Sequence, residues 1–301
     1  MALPVAARSN RNALYLIDSS IYIFQAWHSY HQIFDVDGKP ANAAVGFTDF
    51  LYRLLSRRNP RQIVCAFDES HGQSVRHKID PEYKANRPPA PEDLKHQFAL
   101  CKSFADAAGI TTLASNDVEA DDIIGTLANQ ARARNEISII VSADKDLCQF
   151  VGPDDAIWDY TRDTWLDSRL IEKRFGVRPH QIPDMLALTG DKVDNIPGIP
   201  GVGITTAARL LVKWGNLDAL LDNIGKVATM KFRGAKQVSV LLEHHAETVR
   251  ASRRLTGLHH YPVPDTLSLT INPNKQKLTR IFDQLDFSQA KRQQWLKVLP
   301  L

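Results

Sequence analysis

Residues 137–144 read Ile-Ser-Ile-Ile-Val-Ser-Ala-Asp, an apolar run that ends in Asp144. Two earlier segments have the same form, and each also ends in aspartate: ALYLID at 13–18 and QIVCAFD at 62–68. Between these runs, residues 43–58 and 120–134 carry apolar side chains at helical spacing. Continuous apolar strands that alternate with amphipathic helices predict an α/β fold, with a parallel sheet covered by helices on both faces.

The aspartates at the ends of these runs are candidate functional residues. In parallel sheets, ligands bind beyond the carboxyl ends of the strands, so Asp18, Asp68 and Asp144 are expected at one edge of the sheet. The alternative is that each aspartate only begins a turn or caps the next helix, which explains one such residue better than three.

Six further acids stand in short clusters: Glu119, Asp121 and Asp122 in VEADD, Asp146 in DKD, and Asp191 and Asp194 in DKVD. Taken singly, such clusters are often explained by compensation of the helix dipole or by an exposed surface. Nine carboxylates in one cleft, however, would raise one another's pKa values. Oxygen ligands of this kind suit Mg²⁺ or Mn²⁺, and two such ions are the usual apparatus of phosphodiester hydrolysis.

Length and composition exclude several other classes of protein. A chain of 301 residues and 33.8 kDa predicts two domains. No apolar stretch approaches the ~20 residues that cross a bilayer. The 3 cysteines contain no C-x-x-C pair and favour a reducing cytosol. Dinucleotide-binding, Walker A, zinc-protease and serine-hydrolase motifs are absent from the sequence. The net charge of +3 neither requires nor excludes nucleic acid.

A basic segment follows the second apolar run. Residues 76–87 carry Arg76, Tyr83, Lys84 and Arg87, which are suited to grip backbone phosphates. A solvated charged face explains this segment equally well.

A glycine-rich segment at 195–211 is more specific. Gly198, Gly201 and Gly203 predict a tight turn into a helix at 205–213, whose first residues are Thr205 and Thr206. Backbone amides at a helix N-terminus bind phosphate without reading sequence. The alternative is a structural corner between two helices.

On these motifs the sequence resembles the 5′-nuclease (flap endonuclease) family, and most closely the 5′→3′ exonuclease domain of bacterial DNA polymerase I. The motifs that carry the resemblance are VEADD (118–122), ADKDL (143–147), LTGDKVDNIPG (188–198), PGVG (200–203), FRGAK (232–236), and Tyr83-Lys84 with Arg87. The resemblance extends from about Ala13 to the last predicted helix, at roughly 276–298. The length leaves no room for a polymerase domain, so a free-standing nuclease, or one excised from a larger protein, is expected.

The resemblance implies a PIN- or resolvase-like catalytic domain at 1–180, with a helical arch at about 71–98. A helix-three-turn-helix and C-terminal helical domain would follow at 181–301. It also implies two metal sites. One is formed by Asp18, Asp68, Glu119 and Asp121, with Asp122 beside them; the other is formed by Asp144, Asp146, Asp191 and Asp194, partly sharing Asp121.

The resemblance further assigns DNA contacts. Arg76, Lys84 and Arg87 would steer the scissile phosphate, and Phe24 would stack on a terminal base. The full expected set is Phe24, Arg76, Tyr83, Lys84, Arg87, Gly198, Gly201, Gly203, Thr205 and Thr206. At the glycine turn, backbone carbonyls would bind a monovalent cation such as K⁺ and hold the duplex.

The expected activity is a divalent-metal-dependent 5′→3′ exonuclease and 5′ flap endonuclease. Its partners would be DNA with 5′ flaps, nicks or 5′ ends, and RNA primers, with no membrane. A cytoplasmic, nucleoid-associated monomer is expected. The sequence departs from the family pattern at Ser19, Gln25 and Thr205, which puts affinity and rate in doubt. The alternatives are a catalytically weak DNA-binding homologue and a PIN-type ribonuclease.

Overall fold

The computed structural model describes residues 12–69, 72–264 and 267–300. The first eleven residues of the predicted catalytic domain and residue 71 of the predicted arch therefore lie outside the described residues. Among the helices described, none is long and apolar enough to cross a membrane.

One six-stranded sheet forms the centre of the molecule. Its strands are β1 (Leu14–Asp18), β2 (Gln62–Asp68), β3 (Thr111–Ser115), β4 (Ser138–Val141), β5 (Ala156–Asp159) and β6 (Thr164–Leu166). They lie in the order β3-β2-β1-β4-β5-β6, and only β6 is antiparallel to its neighbour. The predicted parallel α/β sheet is confirmed, and the three apolar runs are its three adjacent strands β2, β1 and β4.

Helices cover both faces of the sheet and continue beyond it. They are α1 (Ser19–Ser29), α2 (Asn42–Arg58), α3 (Val75–Ile79), α4 (Glu92–Ala107), α5 (Ala120–Ala133), α6 (Ser168–Phe175), α7 (Ile182–Thr189), α8 (Ile204–Trp214), α9 (Leu217–Leu221), α10 (Ile224–Val227), α11 (Ala235–Thr256), α12 (Lys275–Gln284) and α13 (Gln289–Val298). Short 3₁₀ helices occupy Asp146–Phe150 and Pro179–Gln181.

The two faces of the sheet contribute to two separate apolar cores because successive residues of a strand point to opposite sides. On β1, Tyr15 and Ile17 belong to the core formed with α2 and α4. Leu14 and Leu16 belong to the core formed with α5, α7, α8 and α11. This second core runs without interruption from the sheet into the helical part of the chain, so the helices that follow the sheet are fixed against it.

The C-terminal segment differs from the predicted single helix. It forms α12 and α13, separated at Asp286, which has a φ of 50°. Ser288 then caps α13 by accepting a hydrogen bond from the Lys291 amide. Both helices return to the α/β part of the chain, where Trp295 packs on Phe104 with ring centroids 4.8 Å apart. The domain bounds of 1–180 and 181–301 stay a prediction, and α12 and α13 of the second range pack into the core formed with α2 and α4.

Candidate active site

Four carboxylates meet at the carboxyl ends of the central strands. Asp18 ends β1, Asp68 ends β2, Asp121 lies in the first turn of α5 and Asp144 follows β4. We call them the strand-end carboxylates. Their placement follows from the parallel sheet, which brings the ends of β1, β2 and β4 to one edge.

Two serines join the elements that carry these acids. The Ser142 hydroxyl donates to Asp18 Oδ2 at 2.8 Å and accepts from the Asp144 amide at 2.9 Å. The Ser20 hydroxyl accepts from the Asp68 amide at 3.2 Å. Sequence analysis did not single out either serine, because their partners lie 124 and 48 residues away.

The strand-end carboxylates repel one another. Burial, followed by the charges of Asp68 and Asp144, raises the pKa of Asp18 to about 7. The pKa of Asp121 is raised well above its usual range by burial and then by Asp144, Asp18 and Asp68. Asp68 keeps an exposed edge, yet burial of its carboxyl group, followed by the charge of Glu119, raises its pKa as well. These mutual effects place the four carboxylates in one electrostatic unit.

A second acidic group adjoins Asp144. Lys145 Nζ lies 2.5 Å from Asp191 Oδ2 and 3.0 Å from Asp146 Oδ1. Burial alone would raise the pKa of Asp191, but the hydrogen bond and charge of Lys145, together with hydrogen bonds from the Val193 and Asp194 amides, lower it. Burial and the charge of Asp144 raise the pKa of Asp146 to about 7. Lys145 was not among the predicted site residues, although it stands between two of them in the sequence.

A third group joins the predicted arch to the loop at 191–195. Lys84 Nζ lies 2.8 Å from Glu119 Oε1 and 3.8 Å from Asp194 Oδ2. The Tyr83 hydroxyl lies 2.9 Å from Glu119 Oε2 and 3.0 Å from Asp194 Oδ2. Arg87 pairs with the other oxygen of Asp194. Burial would lower the pKa of Lys84, but Glu119 and Asp194 raise it.

Arg76 and Asp122 form a buried ion pair beside Glu119, whose Oε2 atom lies 3.4 Å from Arg76 Nη1. The Asp122 carboxylate is fully buried and accepts two hydrogen bonds from the Arg76 guanidinium, at 2.5 and 2.9 Å. Arg76 also donates to the backbone carbonyls of Leu255 and Gly257, at the end of α11. These bonds hold the Arg76 guanidinium inside the protein, and its role in steering a phosphate stays a prediction. The place of Asp122 beside a metal also stays a prediction, with its carboxylate held by Arg76.

The other predicted DNA contacts differ in accessibility. Phe24 is 42% exposed and packs edge-on against Phe98. Tyr83 is only 2% exposed, which contradicts its predicted role as a direct DNA contact. Arg87 is exposed, and so is Thr205, while Thr206 is half-buried.

The glycine turn, residues 197–203, has three different glycine environments. A Cβ at Gly198 would lie 2.2 Å from the Gly190 amide nitrogen, so only glycine fits there. Gly201 has a φ of 83°, in the left-handed region that favours glycine. Gly203 caps α8 with a φ of −94° and has open space around it. Gly203 is therefore the position where a side chain can be added without backbone strain.

The acids of the site supply oxygen ligands, which hard divalent cations prefer. In the described part of the chain, no three histidine, cysteine, aspartate or glutamate side chains are arranged to hold a metal ion. The donor chemistry nevertheless fits a hard cation. Burial raises the pKa values of Asp18 and Asp121, and the charges of neighbouring carboxylates raise them further. A divalent cation would offset the repulsion among these oxygen ligands.

The raised pKa values predict an unusual pH dependence of stability. A carboxyl group whose pKa is higher in the folded than in the unfolded state favours folding when it is protonated. Asp18 and Asp146, each with a pKa of about 7, therefore stabilise the protein below pH 4 and lose this effect as the pH rises through 7. In EDTA, we expect the free energy of unfolding to fall by on the order of 1 kcal/mol per pH unit from pH 5 to 7.

Urea denaturation in EDTA at pH 5, 6, 7 and 8 measures this slope, and repeating it with Mg²⁺ measures the effect of a cation. Mg²⁺ should stabilise more at pH 8 than at pH 5. The lowered pKa values of His77 and His259 act in the opposite direction, so the Asp18→Asn variant serves as the control and should reduce the slope. A metal-free stability that rises from pH 5 to 8 would contradict the assignment.

Comparisons with known proteins identify relatives along nearly the whole chain. Residues 13–176 match the family described as 5′-3′ exonuclease, N-terminal resolvase-like domain, and residues 177–284 match 5′-3′ exonuclease, C-terminal SAM fold. A 5′-3′ exonuclease of Buchnera aphidicola is 33% identical over 82% of this chain and 86% of its own length. One from Aquifex aeolicus is 38% identical over 70% of this chain and 72% of its own length.

The chain is also similar to one part of a larger enzyme. DNA polymerase I of Pseudomonas aeruginosa is 34% identical over 91% of this chain, which spans only 30% of the polymerase. Among solved structures, zinc-bound T5 5′-exonuclease has a TM-score of 0.65 at 18% identity, covering 95% of this chain and 98% of its own. Flap endonuclease-1 from Methanococcus jannaschii has a TM-score of 0.65 at 17% identity, covering 96% and 92%. These two structural likenesses concern the fold.

Proposed function

This chain belongs to the 5′-3′ exonuclease family, and from that premise we propose that it hydrolyses DNA phosphodiesters at 5′ flaps, nicks and 5′ ends. The reaction is dependent on divalent cations and leaves a 5′-phosphate. RNA primers paired to DNA are proposed as a further substrate, and the protein acts as a monomer in the cytoplasm, on nucleoid DNA. The observation that carries the proposal is the group of strand-end carboxylates, which repel one another at the edge where parallel sheets bind ligands.

Two Mg²⁺ or Mn²⁺ ions are proposed at these acids. One set of ligands is Asp18, Asp68, Glu119 and Asp121, and the other is Asp144, Asp146, Asp191 and Asp194, with Asp121 shared. When bound, such ions supply an activated water and stabilise charge on the phosphate oxygens. Asp122 is left out of both sets because Arg76 holds its carboxylate.

Lys84 is proposed to position the scissile phosphate. Its side chain is 21% exposed while its ammonium group contacts Glu119, so Lys84 adjoins both the proposed ligands and the solvent. Its backbone amide donates to the Asp194 carbonyl at 3.0 Å, which attaches the main chain at Lys84 to the loop at 191–195. A cation held in this way can contact a phosphate oxygen without a large movement of the chain.

The glycine turn is proposed to bind the downstream duplex, together with a monovalent cation such as K⁺. Gly201, Gly203 and Thr205 are exposed at the start of α8. The amides of this helix end are a favourable environment for a phosphate.

A direct test compares substrates in the presence and absence of Mg²⁺. A 5′-labelled flap, a nicked duplex, an RNA-primed duplex, a blunt duplex and a single-stranded RNA are digested and resolved on a sequencing gel. Mg²⁺-dependent cutting at the flap junction and stepwise loss from the nick are expected. Equal cutting of single-stranded RNA would instead favour a PIN-type ribonuclease, and binding without cutting would favour a catalytically weak homologue.

The duplex contact is tested by adding a side chain at Gly203. The Gly203→Val variant should weaken binding to a duplex roughly tenfold, since a branched side chain blocks close approach of a phosphate to the helix amides. Binding is measured in Ca²⁺ by fluorescence anisotropy, with melting curves to establish folding. Gly225→Ala is the matched control, because an added Cβ at Gly225 also meets open space. Unchanged duplex affinity in folded Gly203→Val would mean that the turn is a structural corner.

A further inference from the structure

A cavity of about 260 Å³ opens beside Asp144, between the turn after β4 and the hairpin formed by β5 and β6. We call it the β5–β6 pocket. Its cationic lining residues are Lys145, Arg162 and Arg174. We propose that this pocket binds one nucleotide unit of the DNA strand that is cut, with the phosphate on the two arginines. The proposal rests on the function proposed above and adds a subsite to it.

The position of the pocket follows from the order of the strands. The strand-end carboxylates lie at the ends of β1, β2 and β4, and β5 is the next strand along the sheet. Ser142 after β4 and Asp159 at the end of β5 both line the pocket. Neighbouring strands are ~4.8 Å apart, so the pocket lies about one strand spacing beyond the strand-end carboxylates along the same edge of the sheet. A DNA strand placed at Asp144 thus reaches the pocket with an adjacent nucleotide.

The arginines of the pocket are available to a ligand. Arg174 lies over the Phe175 ring, with its Cζ 5.3 Å from the ring centroid, and makes no ion pair within the described residues. The Arg162 side chain is 77% exposed and touches Asp159 at 3.5 Å. Guanidinium groups in this state can donate two parallel hydrogen bonds to a phosphate.

Two of the three cations of the pocket remain for an anion. The carboxylates of the pocket are Asp144, at the mouth, and Asp159, which Arg162 offsets. Lys145 is paired with Asp191 and Asp146, so the proposed anion site rests on Arg162 and Arg174.

The remaining wall is apolar and suits a sugar and a base. Ile157 and Leu166 are paired across the β5–β6 hairpin, and Phe175 closes the wall from α6. The volume of 260 Å³ lies just below the ~300–1,000 Å³ usual for small-molecule sites, which fits one nucleotide and not a duplex. A basic edge beside an apolar wall distinguishes this pocket from a site for phosphate alone.

The test measures binding of deoxyadenosine 5′-monophosphate to the full chain in Ca²⁺ by isothermal titration calorimetry. The Arg162→Ala/Arg174→Ala double variant should bind it at least about tenfold more weakly than the wild type. The matched control is Arg169→Ala, an exposed arginine of α6 that does not line the pocket, and its Kd should stay within about twofold. Deoxyadenosine and inorganic phosphate, titrated separately, should each bind at least about tenfold more weakly than the nucleotide.

An unchanged Kd in the folded double variant would overturn the proposal. Inorganic phosphate that binds as tightly as the nucleotide would also overturn it, since the site would then recognise an anion only. Flap cleavage by the same preparations separates the two proposals. If the wild type cuts flaps and the double variant keeps its nucleotide affinity, only the proposal for the β5–β6 pocket is overturned. If the wild type cuts no substrate, the proposed function is overturned instead.

Discussion

The Asp121→Asn variant is expected to lose Mg²⁺-dependent cleavage by on the order of 1,000-fold or more, while binding of the flap in Ca²⁺ is largely retained. Asp121 is the acid whose charge is coupled to Asp144, Asp18 and Asp68 together, so it faces both proposed ligand sets. Loss of such a residue should exceed the ~10–100-fold effect of removing an outer partner of a metal site. Single-turnover cleavage of a labelled flap measures the loss.

The same substitution should make the metal-free protein more stable at pH 8. Replacing Asp121 with a neutral residue removes one charge from a buried group of like charges, so the melting temperature in EDTA should rise. Asp117→Asn is the control, because Asp117 precedes the same helix but its side chain is 75% exposed. Near-normal cutting by Asp121→Asn at saturating Mg²⁺ would falsify the role given to this residue.

Arg76→Met should lower the free energy of unfolding by about 3 kcal/mol or more. The substitution leaves the fully buried Asp122 carboxylate without its ion-pair partner and also removes the bonds to the end of α11. Urea denaturation at pH 7 measures this effect. Adding Asp122→Asn to the same chain should restore part of the loss, since the buried charge is then gone.

A surface ion pair on the same helix gives the matched control. Lys78 and Asp117 are 3.2 Å apart and both exposed, so Lys78→Met should change stability by less than about 1 kcal/mol. A phosphate-steering Arg76 would behave differently, with cleavage lost and stability nearly unchanged. That result would support the predicted role of Arg76 in steering the scissile phosphate.

The edge of the sheet could be predicted from sequence because its signal is local. Each of the strands β1, β2 and β4 is an apolar run that ends in or just before its aspartate. The observed helix at Ile204–Trp214 likewise agrees with the glycine-rich segment that precedes it. In both cases a few adjacent residues determine the local structure. The parallel sheet then brings the strand ends together at one edge.

The environment of Asp122 could not be predicted from the sequence, because its partners lie far away in the chain. Arg76 is 46 residues from Asp122, and the His259 amide that also donates to it is 137 residues away. One local signal was nevertheless available. Successive residues of an α-helix point ~100° apart, so Asp121 and Asp122 cannot both face the strand ends. The break between α12 and α13 had a comparable signal in Ser288, a residue type that favours helix starts.

The return of α12 and α13 to the sheet domain has a consequence for synthesis on the ribosome. Trp295 and Phe282 complete the apolar core around Phe104, although well over a third of the chain separates them from the sheet. Nascent chains grow at ~5–20 residues per second, so this core waits on the order of ten seconds for its last side chains. During that interval the helices around α7, α8 and α11 can already pack, while the face of α4 that will receive Trp295 is still uncovered. The α/β part of the chain therefore completes its core only after α12 and α13 have been synthesised, although its strands are made first.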